Sequence, residues 1–254
     1  MQLNFKVFGS GEPLIILHGL LGSLDNWQSL AKKYAEHFTV YIVDLRNHGK
    51  SPHSDAFSYE DMVEDLLEFC EANYIFNSHL LGHSMGGKVA MQFAVIYPEY
   101  INKLIIADIA PVQYEPGHNE IFEALRKVDL SIIKKREEVD QILQEKISNY
   151  GVRQFLMKGL TRGEGNKFEW KFNLSAIWEN YQNILSTFEV SEPFEKPSLF
   201  VSGGNSSYVD ASNFYVIDHY FPKNTKEVIE NVGHWLHAEN PKVFYEKTFN
   251  FLSS

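Results

Sequence analysis

The chain has 254 residues, enough for one elaborated α/β unit with a sizeable core and an insertion. Hydrophobic residues at 44% and charged residues at 22% exclude the disordered, collagen-like and coiled-coil classes, and a net charge of -10 without a basic patch argues against a nucleic-acid partner. A single cysteine, Cys70, forbids an internal disulfide, and Met1 to Lys6 lack the basic-then-apolar pattern of a secretory leader, so cytoplasmic residence is expected. The apolar run Leu14 to Leu17 is far below the ~18 residues of a membrane span, so no membrane insertion is expected.

Along the chain the apolar period switches repeatedly between strand-like and helix-like, the pattern of an α/β protein with a mostly parallel central sheet and helices on both faces. Leu3 to Phe8 reads as an opening strand, and the turn Gly9-Ser10-Gly11-Glu12-Pro13 predicts an antiparallel edge hairpin with the next strand. Leu14 to Leu17, Val40 to Val43, His79 to Leu81, Leu104 to Ala107 and Leu199 to Val201 are continuous apolar runs, as expected of strands covered on both faces. Helical patterns at Leu24 to Tyr34, Tyr59 to Ala72 and Met85 to Tyr97 return the chain to the sheet. After Pro111 the alternation stops. From residue 112 to about 189 the sequence is helical, charged and aromatic, with a short strand pattern at Phe168 to Phe172 and a helix expected from Ser175 to Thr187. The expected division is therefore 1–111 with 190–254 as the core and 112–189 as an insertion. The mixed-sign run Lys134 to Glu138 reads as a solvated helix face.

The strongest chemical signal is Gly82-His83-Ser84-Met85-Gly86, placed directly after an apolar strand and directly before a helix. G-x-S-x-G in that setting is a nucleophile elbow, where small residues let the chain turn sharply enough to present the serine hydroxyl at the top of the sheet. A helix-capping serine is the bland alternative, and the strand-turn-helix context disfavours it. Gly82 with Gly87-Lys88 also approaches a phosphate-cradling loop, but Val89 cannot supply the hydroxyl that holds Mg²⁺. A serine nucleophile needs a base. Gly233-His234-Trp235, late in the chain, offers His234 in the order serine, acid, histidine. The remaining histidines are scattered without metal-ligand spacing, so no metal is expected. Oxyanion stabilisation needs converging amides, and those of Met85 and of Leu20, in the glycine-bearing loop His18 to Ser23, are the candidates. His18 at a strand end reads as a loop-fixing residue, and Cys70 as a packing residue.

Taken together, these motifs make the chain similar to the α/β-hydrolase superfamily and, more narrowly, to bacterial esterases of the YbfF type and their eukaryotic abhydrolase-domain relatives. The resemblance runs essentially end to end. It is carried by His18 to Ser23, Asp44 to Ser51, Gly82 to Lys88, Asp108 to Pro111, Val152 to Leu156 and Gly233 to Trp235. It implies the α/β-hydrolase fold with a helical cap, esterase or thioesterase activity on a small acyl ester or acyl-CoA-type thioester, and no cofactor. Most superfamily members place the acid after the penultimate strand, where this chain has Ser206. Asp210 comes later and reads as a helix cap, whereas Asp108 ends the strand that follows the nucleophile helix. The resemblance and that strand-end placement favour Asp108; Asp44 precedes the nucleophile and reads as a loop anchor. Within the insertion and the histidine loop, Phe155, Trp170, Phe172, Trp178, Tyr181 and Trp235 are candidates to wall an acyl pocket. Alternatives on the same fold are a menaquinone-pathway type of lyase, a cofactor-free haloperoxidase and a low-turnover ligand sensor. Acyl length and oligomeric state are not encoded in any motif.

Overall fold

In chain order the strands are β1 (Phe5–Phe8), β2 (Glu12–Leu17), β3 (Phe38–Val43), β4 (Ser78–His83), β5 (Ile101–Ala107), β6 (Leu160–Arg162), β7 (Phe168–Trp170), β8 (Ser198–Gly203) and β9 (Asn224–Ile229). The helices flanking the first five strands are α1 (Gln28–Tyr34), α2 (Tyr59–Ala72) and α3 (Met85–Ile96). Between β5 and β8 come α4 (Asn119–Lys127), α5 (Arg136–Gln144), α6 (Tyr150–Lys158), α7 (Leu174–Glu179) and α8 (Tyr181–Leu185). The last are α9 (Phe214–Tyr220), α10 (Leu236–Glu239) and α11 (Pro241–Ser253). This computed structural model describes residues 1–188 and 192–254. The expected junction at residues 189 and 190 lies outside the described residues.

Seven strands form one sheet in the order β1-β3-β2-β4-β5-β8-β9, parallel throughout except for β1. Successive residues of the central strands serve opposite layers. Leu80, Leu104 and Ile106 pack with Leu66 and Phe69 of α2 and Val89 and Phe93 of α3. Leu81, Ile105 and Ala107 face Leu30 and Tyr34 of α1 and Phe244 and Leu252 of α11. All six residues of β4 are buried, so the strand that carries the nucleophile elbow sits in the middle of both layers.

Three details differ from the sequence expectation. The opening strand is antiparallel and at the edge, but it pairs with β3 rather than forming a hairpin with β2. The turn at Gly9 lies against the carbonyls of Ala35 and Phe38, so the chain crosses the α1–β3 corner before entering the sheet one position further in. The first helix begins at Gln28, after a single 3₁₀ turn over Leu24–Asn26. The helix expected over Ser175 to Thr187 is two short helices broken at Asn180, whose amide donates to Asp55 O and to Ala176 O (both 2.9 Å). A tertiary contact there competes with helix continuation.

Candidate active site

Ser84 follows β4 directly and caps α3 with φ 53° and ψ −120°, a conformation costly for a residue with a side chain. The neighbouring glycines are what let the corner close. A Cβ at Gly82 would lie 2.2 Å from Gly86 O, and one at Gly86 would lie 2.5 Å from His18 O. Ser84 N donates to Ala107 O (3.0 Å), which ties the corner to the adjacent strand.

Asp108 follows β5 directly, also at positive φ (53°), and is fully buried. Its backbone N–H donates to Val201 O (2.8 Å). Each carboxylate oxygen is occupied: Oδ1 accepts from Gly203 N (2.9 Å), and Oδ2 accepts from Ser206 Oγ and from His234 Nδ1 (2.7 Å). On its other side His234 Nε2 meets Ser84 Oγ at 2.9 Å. The sequence-predicted Ser84, His234 and Asp108 are thus brought into one hydrogen-bonded line. Asp210 is elsewhere. It is exposed, accepts from Ser212 N (2.7 Å) and caps the turn Ala211–Asn213.

Two rings hold the imidazole. Tyr208 stacks on His234 at 4.0 Å between centroids, and its carbonyl accepts from Tyr114 Oη (2.6 Å). His83 donates through Nε2 to His234 O (2.8 Å); burial pushes its pKa well below the ordinary range, so it acts as a neutral donor. His18 and His48 do comparable work under the loop after β2. His18 Nε2 accepts from Leu45 N and His48 Nε2 accepts from Leu21 N (both 3.1 Å), and burial lowers both pKa values. Above them the amides of Leu20 and Met85 have no hydrogen-bond partner among the described residues, and both residues border the same cavity as Ser84. Asp44 anchors its loop as expected, accepting from Leu24 N (2.7 Å), Lys50 N (3.0 Å) and Asn4 Nδ2 (2.7 Å). Arg153, in the Val152 to Leu156 motif, binds Asp140 (3.0 Å) and the carbonyls of Ile147 and Ser148, a scaffold for α5 and α6.

Cavities open on both sides of this line. One, of about 380 Å³, is lined by Leu20, Ser84, Met85, Lys88, Tyr114 and Tyr181 among others. A second, of about 600 Å³, is lined by Asn149, Phe155, Lys158, His234, Trp235 and Glu239 among others. A void of about 20 Å³ shares Leu20, Ser84 and His118 with the first and Phe155, His234 and Trp235 with the second. Of the six aromatic candidates, Tyr181, Phe155 and Trp235 therefore border the space around Ser84.

Trp170, Phe172 and Trp178 do not, which corrects the expectation. Trp170 pairs across β6 with Leu160 and stacks on Phe172 (5.2 Å), and the adjoining Lys171 reaches Asp25 (2.8 Å), which draws this pair to the Asp25 side. Phe172 is buried against Gly159. Trp178 is 37% exposed on α7, against Phe122 and beneath the Arg126 guanidinium. Sequence reasoning also missed Tyr208, Tyr114, His83 and Lys88 as parts of the site. Lys88 carried a readable signal, being the one charged residue in the twelve-residue helix MGGKVAMQFAVI.

A serine at a strained strand-to-helix corner, in line with a half-buried histidine and a buried carboxylate on a parallel sheet, defines the serine hydrolases of α/β architecture. The family described as alpha/beta hydrolase fold matches residues 12–135. Esterase YbfF of Escherichia coli (strain K12) is 37% identical over 247 residues, covering 95% of each chain. The sn-1-specific diacylglycerol lipase ABHD11 of Mus musculus is 37% identical over 249 residues, 94% of this chain and 80% of that protein. A solved structure titled "Marine microorganism esterase" is 43% identical, superposes with a TM-score of 0.96 and covers 98% of this chain and 99% of that one. The chain belongs to the α/β-hydrolase family and is an enzyme of the serine hydrolase type. Among the described residues no helix is long and apolar enough to cross a membrane, and no group of three His, Cys, Asp or Glu side chains is placed to hold a metal.

Proposed function

We propose that the protein hydrolyses small carboxylic acyl esters, and thioesters with the same acyl groups, through a covalent acyl-enzyme on Ser84. The reading rests on one observation: His234 spans Ser84 Oγ (2.9 Å) and Asp108 Oδ2 (2.7 Å) with its two ring nitrogens. Ser84 Oγ attacks the carbonyl carbon while His234 Nε2 takes the hydroxyl proton, and Asp108 holds Nδ1–H and supports the imidazolium. The oxyanion accepts from the amides of Leu20 and Met85. The carbon–oxygen or carbon–sulfur bond then breaks as His234 returns its proton to the leaving atom. Water attacks the acyl-enzyme, gives a proton to His234, and Ser84 recovers it on release of the acid.

Placement of the two substrate halves is set by that proton. The leaving atom must face His234, so the alcohol or thiol half points toward the 600 Å³ cavity that His234 borders. The acyl half then occupies the 380 Å³ cavity beside Leu20 and Met85. In this reading the segment between β5 and β8 is a cap, supplying Tyr114 and Tyr181 to one side and Phe155 to the other. The esterase and lipase names of its relatives support the same substrate class.

The test is a kinetic panel of short to long acyl esters and acyl-CoA thioesters, with fluorophosphonate labelling of the wild type and Ser84→Ala. Ester turnover and a label on Ser84, both lost in the variant with a fall in kcat of about 10⁵-fold or more, are expected. A variant that keeps its activity overturns the mechanism. A wild type that turns over nothing while binding ligands tightly would be a sensor.

A further inference from the structure

Lys88 lies one helical turn beyond Ser84, its N–H donating to Ser84 O (3.1 Å). It is 1% exposed and lines the 380 Å³ cavity. Its ammonium has no carboxylate partner among the described residues. Nζ donates instead to Leu185 O (3.3 Å) and to Ser186 O, and sits over the rings of Tyr114 (4.9 Å) and Tyr59 (5.6 Å). Carbonyls and ring faces favour a cation without neutralising it, and a buried charge lacking a counter-ion is costly. Burial accordingly pushes the lysine pKa down to about 7.

The remaining walls do not compensate. Tyr114, Tyr181 and Tyr208 have their phenol pKa values raised by burial and stay neutral, and His118, lowered to about 4 by burial, is neutral at pH 7. Glu115 borders the cavity but is exposed to solvent. Among the described residues Lys88 is therefore the one cationic group of the cavity interior, with two of its three donors committed to backbone carbonyls and one left for a ligand.

We propose that Lys88 is a specificity-determining residue that receives a carboxylate at the far end of the acyl group, so that the preferred substrates are half-esters or half-thioesters of short dicarboxylic acids. The inference rests on the acyl-enzyme reading above and names its substrate class. Ser84 and Lys88 line the same cavity of about 380 Å³, so an acyl chain held by the serine at one end and by the ammonium at the other is a short one, of the succinyl to adipyl class. A purely apolar chain of equal length would leave the ammonium buried and uncompensated.

The experiment compares monoethyl glutarate with ethyl valerate, its neutral counterpart of equal acyl length, by ethanol release from the purified protein. p-Nitrophenyl acetate, whose acyl group carries no carboxylate, is the control. Wild type should favour the half-ester by about tenfold or more in kcat/KM, the worth of one hydrogen bond between charged groups. Lys88→Met should abolish or invert the preference, chiefly through KM for the half-ester, with both substrates read relative to acetate on the same sample. Lys88→Gln, which keeps a donor for the two carbonyls, should lose the preference equally and so separates charge recognition from the structural tether. Free glutarate should also slow fluorophosphonate labelling of wild-type Ser84 more than valerate does, a readout that needs no variant. Ester turnover with valerate equal or preferred, or a glutarate preference that survives in both variants, overturns the proposal alone. No turnover of any ester together with an unlabelled Ser84 overturns the hydrolase reading and the proposal with it.

Discussion

Replacing Asp108 by asparagine should disable the enzyme through the histidine tautomer, and the hydrogen bonds around residue 108 dictate which way the new amide points. Gly203 N–H faces Oδ1 at 2.9 Å and can only donate, so the amide oxygen settles there and the NH₂ takes the place of Oδ2. That group then donates toward His234 Nδ1, 2.7 Å from Oδ2 in the wild type, which leaves the imidazole proton on Nε2. A protonated Nε2 cannot accept from Ser84 Oγ, and the imidazolium loses its counter-charge as well. Both effects act in the transition state, so kcat should fall by about 10⁴-fold, roughly 5.4 kcal/mol of barrier, while KM changes little. Because the Gly203 bond survives, the melting temperature should move by only a few degrees. The assay is p-nitrophenyl acetate hydrolysis with a melting curve on the same sample, and Asp210→Asn in parallel. An Asp108→Asn enzyme retaining a tenth or more of wild-type turnover, with collapse in Asp210→Asn, would restore the usual superfamily arrangement with an acid shifted beyond the Ser206 position, and refute the argument.

Trp178→Ala should leave the chain-length preference unchanged, since its ring sits outside the cavity, whereas Trp235→Ala should shift preference among leaving groups; a substrate panel on both variants reads the difference. Cys70, buried, with its thiol pushed up to about 12, should resist iodoacetamide in the folded enzyme at pH 8 and react on denaturation, as mass spectrometry would show. The preference for monoethyl glutarate over ethyl valerate should decline as pH rises through about 7, because the Lys88 ammonium is charged below that value and neutral above it; taking the ratio of kcat/KM values cancels any pH dependence of the steps that both substrates share.

Legibility in the sequence tracks dependence on neighbours in the chain. The elbow can be read because a strand, two flanking glycines and a helix are contiguous, and α2 can be bounded at Tyr59–Ala72 because Ser58 and Asp61 cap it reciprocally. The edge hairpin fails because pairing of β1 with β3 is decided by a crossing over the α1–β3 corner. The aromatic candidates divide for a similar reason: Trp170 and Trp178 have the right composition for an acyl pocket but are oriented by Lys171–Asp25 and by Phe122, contacts between distant segments. Ser206 stands at the place where a carboxylate is usual, and its hydroxyl still serves that position by donating to Asp108 from across the sheet. Lys88 is hidden inside a motif whose notable letter is the serine.

The bond from His83 to His234 O has a mechanical consequence. His83 is the last residue of β4 and the immediate neighbour of Ser84, so the strand that aims the hydroxyl also grips the backbone of the loop bearing the imidazole, although 150 positions separate the two in the chain. Nucleophile and base thereby share one frame of reference. Displacements of the sheet carry both together, so their separation does not depend on where the segment between β5 and β8 sits.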